Sequence, residues 1–111
     1  MRLYRPPLVI HLQADQPLGG EIPRPKFDLG GIVATPGALA EIPDVEIQVA
    51  LYRHNTGDWG DLDPEDRQEN EKALVEGHRL FSVYKSRAGV KFYIITEHDR
   101  SVTTVLLPQE Y

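Results

Sequence analysis

Hydrophobic and polar positions divide this chain into a beginning without periodicity, a middle with helical spacing and a C-terminal third that alternates. Up to about Asp28, the prolines Pro6, Pro7, Pro17, Pro23 and Pro25 and the pair Gly19-Gly20 leave little room for a helix. Residues 1–26 are therefore expected to form an extended proline-rich arm. One short strand fits there, from Leu8 to Gln13, with Leu8, Ile10 and Leu12 on one side. Residues 27–111 are expected to form a single α+β domain.

In the middle, Gly31-Ile32-Val33-Ala34 predicts a short strand. Thr35 as N-cap and Pro36 at the first helical position predict a helix, which Pro43 stops after about two turns. The segment from Asp44 to His54 carries two patterns. Val45, Ile47, Val49 and Leu51 alternate like a strand, whereas Val45, Val49 and Tyr52, with Leu51 beside them, make a helical stripe. Asp44 as a cap and the segment length favour the helix. A clearer helix follows Asp63 as cap, with Pro64 first, Glu65 and Asp66 at the positive end of the dipole and Gly77 at its end. Its apolar face is limited to Ala73, Leu74 and Val75, so most of it is expected on the surface.

The final third reads as a meander. Strands from Arg79 to Lys85, Val90 to Glu97 and Val102 to Leu107 are joined by Ser86-Arg87-Ala88-Gly89 and His98-Asp99-Arg100-Ser101, loops short enough for antiparallel neighbours. Phe81 and Val83 are available to the core, with Phe92 and Ile94 or Tyr93 and Ile95, and with Val102 and Leu106 or Val105 and Leu107. The fold class expected is α+β: a small antiparallel sheet of three to four strands with two or three short helices on one face.

Composition narrows the functional classes. A chain of 111 residues can bury one core without staples. The lack of cysteine excludes disulfides, thiolate metal sites and a cysteine nucleophile, and it fits a reducing cytoplasm, the expected location. Apolar runs such as Leu8-Val9-Ile10 fall far short of the roughly 20 residues of a membrane span. No signal peptide is apparent after Met1-Arg2-Leu3-Tyr4-Arg5. The net charge of -5 is uneven: Asp58, Asp61, Asp63, Glu65, Asp66, Glu69, Glu71 and Glu76 fall in one stretch, while Lys85, Arg87 and Lys91 form a basic cluster.

No nucleotide-binding loop ending Gly-Lys-Ser or Gly-Lys-Thr, no Gly-x-Ser-x-Gly elbow and no His-Glu-x-x-His is present. The candidate chemistry lies instead in Arg53-His54-Asn55-Thr56-Gly57-Asp58-Trp59-Gly60-Asp61, together with the later stretch from Ile94 to Pro108. His54, Asp58 and Asp61 could ligate a divalent ion. Their spacing matches no strong metal motif, and neither a metal nor a cofactor is expected. In the competing structural reading, Asp58 or Asp61 accepts backbone N–H groups and Trp59 anchors the loop in the domain. His54 with Asp99, Arg100, Ser101, Thr103 and Thr104 could assemble a phosphodiester-cleaving site, the imidazole moving a proton and the guanidinium holding a phosphate. Alternatively, Arg100 forks onto Asp58, Asp61 or Asp99 and clamps the loop to the sheet. Glu65, Glu69 and Glu76, with Asp58 and Asp61, could imitate a run of phosphates or simply form a solvated helix face.

The order Phe27-x-Leu29-Gly30-x-Ile32-Val33-Ala34-Thr35-Pro36-Gly37, then Arg53-His54-x2-Gly57-Asp58-Trp59-Gly60-Asp61-Leu62, then Ile94-Ile95-Thr96-Glu97-x-Asp99-Arg100-Ser101-x-Thr103-Thr104-x-Leu106-Leu107-Pro108-x-Glu110-Tyr111, resembles a family of small bacterial proteins often labelled plasmid-related. Members travel on plasmids, prophages and integrated elements. The resemblance runs from Phe27 onward, about three quarters of the chain. The family pattern reads alanine where His98 stands, so His98 carries little weight. The resemblance implies a setting and positions rather than a reaction. Taken with the residues above, it leaves two main expectations. The first is a mobile-element accessory protein acting by protein–protein contact, as an inhibitor of a host defence system, with a host nucleic-acid-binding or defence protein as partner. The second is a small nucleic-acid-processing enzyme, ribonuclease-like or toxin-like, using His54 and Arg100. A third reading, a regulatory module that brings nucleic acid to Lys85, Arg87 and Lys91, is disfavoured by the net negative charge.

Overall fold

The computed structural model describes residues 1–4 and 23–111, so the strand expected from Leu8 to Gln13 lies outside the described residues. The elements run β1 (Arg2–Leu3), β2 (Gly31–Ala34), α1 (Pro36–Glu41), α2 (Asp44–Asn55), α3 (Pro64–Glu76), β3 (Leu80–Lys85), β4 (Lys91–Thr96) and β5 (Val102–Leu106), with a short 3-10 turn at Pro108–Glu110. The fold is α+β.

Local signals placed most of these elements. The Thr35 hydroxyl accepts the Ala38 N–H at 3.2 Å, and the Asp63 carboxylate accepts the Asp66 N–H at 2.9 Å. Pro36 and Pro64 occupy the first turns, and Gly77 closes α3 in the left-handed conformation. The segment from Asp44 is helical, but Pro43 is its cap residue, and Asp44 lies inside the first turn without capping. Its buried face is Ile47, Ala50, Leu51 and His54, at i, i+3, i+4 and i+7. The stripe of Val45, Val49 and Tyr52 points outward.

The sheet corrects the expected architecture. It has five strands in the order β1-β2-β5-β4-β3, and it is mixed rather than wholly antiparallel. The meander β3-β4-β5 is antiparallel as expected. Beyond it, β2 lies parallel to β5, from Gly31 opposite Val102 to Ala34 opposite Val105. β1 then pairs antiparallel with β2, so the start of the arm joins the sheet and Tyr4 enters the main core. Gly30 permits the close approach of β2 to β5. Its φ is 67°, and a Cβ there would collide with the carbonyl of Ser101.

Helices α1 and α2 cover one face of the sheet, burying Ala38, Ile47, Ala50 and Leu51 against Ala34, Tyr84, Phe92, Ile94 and Val105. Alternation places Ser82, Thr96 and Thr103 on this same face, all buried. Phe81 and Val83 face the other way and join a second cluster with Trp59, Leu62 and Ala73. The C-terminal turn is tied down by Glu110. Its carboxylate accepts from the Thr35 hydroxyl, from Gly37 N–H at 3.0 Å and from Leu107 N–H at 2.9 Å, capping α1 from the far end of the chain.

Candidate functional site

The glycine-flanked tryptophan loop is a sheet-edge device. Trp59 C=O accepts the Val83 N–H at 3.2 Å and Asp61 N–H donates to Val83 C=O at 2.8 Å, so Gly60 pairs with the outer side of β3 as a one-residue parallel bridge. With φ at 75° and a Cβ that would strike the Val83 carbonyl, position 60 requires glycine. Asn70 of α3 completes the edge: its amide nitrogen donates to Phe81 C=O at 2.6 Å and its carbonyl accepts Phe81 N–H at 3.1 Å. The outward groups of Phe81 and Val83 are thereby satisfied, which protects the edge from pairing with another chain. Asn70→Ala is expected to cost about 2 kcal/mol by leaving two backbone groups unpaired. Amide exchange at Phe81 should accelerate far more than at Ile94; unchanged protection at Phe81 would refute this role.

Trp59 is buried, as expected, with its indole N–H donating to Glu71 Oε2 at 2.8 Å. Its ring stacks on Phe27 at 6.2 Å between centroids and meets the His54 ring edge-on at 5.7 Å. His54 has no exposed surface. Nδ1 lies 2.6 Å from the Ser82 hydroxyl and Nε2 lies 2.9 Å from the Thr96 hydroxyl. Thr96 in turn contacts Thr103 at 2.7 Å, and Thr103 donates to Leu29 C=O at 2.7 Å. That last bond orients the whole chain of donors. Thr103 spends its proton on Leu29, so Thr96 donates to Thr103, His54 donates from Nε2 to Thr96, and Ser82 donates to Nδ1. A neutral imidazole with its proton on Nε2 satisfies every member. Burial first and the Arg100 cation second push the His54 pKa down to about 3.

The structure places His54, the candidate proton carrier of the sequence, inside the domain. Both ring nitrogens are occupied and the ring is sealed beneath Phe27 and Trp59. Asp58 and Asp61 do not join it. Asp58 instead takes a two-pronged contact from Arg53, at 2.7 and 3.2 Å, on the half-exposed surface, while Asp61 is exposed. Such an exposed pair is worth less than about 1 kcal/mol. Arg53 also holds the Asp58 carboxyl below its ordinary range.

The expected clamp between Arg100 and Asp58, Asp61 or Asp99 is corrected. Arg100 sits at φ 60° and sends its guanidinium to backbone carbonyls: His78 at 2.6 Å, Glu97 at 3.1 Å and Ala73 at 3.0 Å. It seals the C-terminal end of α3, where the Ala73 carbonyl also accepts the Gly77 and His78 N–H groups and a cation suits the dipole. Asp99 turns locally, accepting the N–H and hydroxyl of Ser101. The two sequence motifs do meet, around Phe27: the Arg100 guanidinium lies 5.7 Å from that ring and His54 lies 5.2 Å from it. Thr103 belongs to the buried network, whereas Thr104 faces the opposite side of the sheet, across from Ile95.

Among the described residues, a groove that the sequence motifs did not indicate is open to a ligand. Acidic α3 forms one wall through Asp66 and Glu69; Phe81, Tyr93 and Tyr111 form the other, and Leu62, His78 and Arg79 also line the groove. Its volume is about 490 Å³, within the range of binding pockets. Phe81 and Tyr93 lie 4.9 Å apart, and Tyr93 meets Tyr111 edge-on at 6.2 Å. A sequence signal existed, since Phe81 and Tyr93 share the sheet face opposite the histidine network and meet diagonally across β3 and β4, two residues out of register. No helix among the described residues is long and apolar enough to cross a membrane.

No protein-family model, curated protein or solved structure matches the chain.

Proposed function

We propose that this chain acts by contact with another protein rather than by catalysis, as an accessory protein of a mobile element directed at a host nucleic-acid-binding or defence protein. The observation that supports this most is the internal use of the two groups best suited to chemistry. His54 is sealed with both nitrogens bonded, and Arg100 is committed to three backbone carbonyls. Exposed α3 is rich in unburied carboxylates and flanked by aromatic rings. A folded domain that uses its polar groups to hold a rigid edge and presents a charged groove is suited to recognition. The resemblance to plasmid-related proteins supplies the biological setting, and inhibition of host defence is the use proposed for it.

The test is affinity capture of the tagged chain from its host, followed by reconstitution with the captured protein in pure form. A stoichiometric complex that is lost in the charge-reversed variant Asp66→Lys with Glu69→Lys is the expected result. Ribonucleolytic activity of the pure chain that disappears in Arg100→Lys would instead favour the enzyme.

A further inference from the structure

We propose that the groove between α3 and the Phe81, Tyr93, Tyr111 wall receives an arginine side chain from a basic segment of the partner protein. The inference rests on the protein-contact reading above and names the chemistry of that partner. Asp66 and Glu69 stand three residues apart on α3 and so share one helix face. Among the described residues, neither carboxylate takes part in an ion pair. Arg79 also lines the groove, but its guanidinium is already engaged by Glu97 at 3.1 Å, and the His78 ring, likewise in the lining, contacts Glu76 at 3.2 Å. The groove therefore presents two carboxylates without ion pairs on one side and aromatic rings on the other.

That combination selects a cation with a flat face. Aromatic rings attract a cation placed over them, and a planar guanidinium both stacks on a ring and forks onto a carboxylate, which a compact ammonium does less well. Asn70 does not compete for the guest, because its amide is spent on both backbone groups of Phe81. Phe81 and Tyr93 are only partly buried and Tyr111 is 73% exposed, so the rings are accessible from solvent. The volume exceeds what one side chain fills, leaving room for the residues that flank it.

The experiment is an amide-shift titration of the full chain, isotopically labelled, with a capped peptide of sequence Gly-Arg-Gly-Arg-Gly. Expected are saturable shifts at Asp66, Glu69, Phe81, Tyr93 and Tyr111. Replacing both arginines by citrulline, which keeps shape and removes charge, should weaken binding by about tenfold or more, as should the surface variant Asp66→Asn with Glu69→Gln. Shifts scattered away from the groove, equal binding of the citrulline peptide, or an unaffected variant would overturn the assignment. Equal affinity for the lysine peptide would overturn the choice of arginine. A partner captured through α3 that coexists with a negative titration would reject only this inference; capture indifferent to α3 would reject the protein-contact reading itself.

Discussion

Lowering the pH from about 6 to about 4.5 is expected to remove about 2 kcal/mol of folding stability, through His54 alone. The folded-state pKa of His54 is depressed from 6.5 to about 3, first by burial and then by Arg100. The folded chain therefore refuses a proton that the unfolded chain accepts. The stabilising contribution is complete above the unfolded pKa, declines as pH falls below it, and is gone once the pH passes through the folded pKa. Each pH unit within that window is worth about 1.4 kcal/mol. The carboxyls of Asp58 and Glu110 are also held low, by Arg53 and by the Thr35 hydroxyl respectively, and they add their losses only at lower pH. Urea midpoints measured at both pH values should differ in the parent and coincide in His54→Gln, which keeps a donor and an acceptor but does not titrate. If that variant fails to fold, the parent's own His54 ring resonances decide: they should hold their neutral shifts down to pH 4.5. A titration midpoint near 6.5 would show that the ring is not sealed.

Trp59→Ala should cost about 3 to 5 kcal/mol, the range for removing a buried aromatic ring. The loss has several parts: stacking on Phe27, the edge contact with His54, and the indole hydrogen bond to Glu71. The loss also reaches the backbone. The Trp59 carbonyl and the Asp61 N–H hold the outer side of β3 through Val83, and the ring fixes the loop that presents them. Glu71→Gln keeps a hydrogen-bond acceptor for the indole and should cost less than about 1 kcal/mol. Denaturant unfolding of the two variants separates these roles. A Trp59→Ala protein that melts within a degree of the parent would mean that the ring contributes nothing to the core.

The tryptophan loop also marks where reading the residues in order succeeds and where it stops. Gly57, Trp59 and Gly60 announce a constrained loop with a buried ring, because glycine pairs around a large aromatic are a local signal. Nothing local says that the loop pairs with Val83 or that Asn70 closes Phe81, since both contacts join separate elements. Similarly, Ser82, Thr96 and Thr103 lower the apparent hydrophobicity of the covered sheet face, so alternation pointed to Phe81 and Val83 as core candidates. The polar residues are buried there because one histidine on α2 pairs with them. The candidate site fared in the same way. Arg100 was legible as an unusual residue, yet its partners are carbonyls, which every residue carries and no sequence pattern distinguishes.

By itself, the sequence determined the α+β class, the caps of α1 and α3, the end of α3 at Gly77 and the antiparallel meander of β3, β4 and β5. Each of these rests on interactions between neighbours a few residues apart or on short turns. Only the tertiary structure decided the parallel pairing of β2 with β5, the addition of β1, the neutral histidine network, the ends to which Arg100 is tied, and the groove beside α3. These depend on which distant segments come together when apolar surface is buried, and on which polar groups must then find partners out of water. That requirement acts on the folded chain as a whole and leaves no periodic trace in the order of its residues.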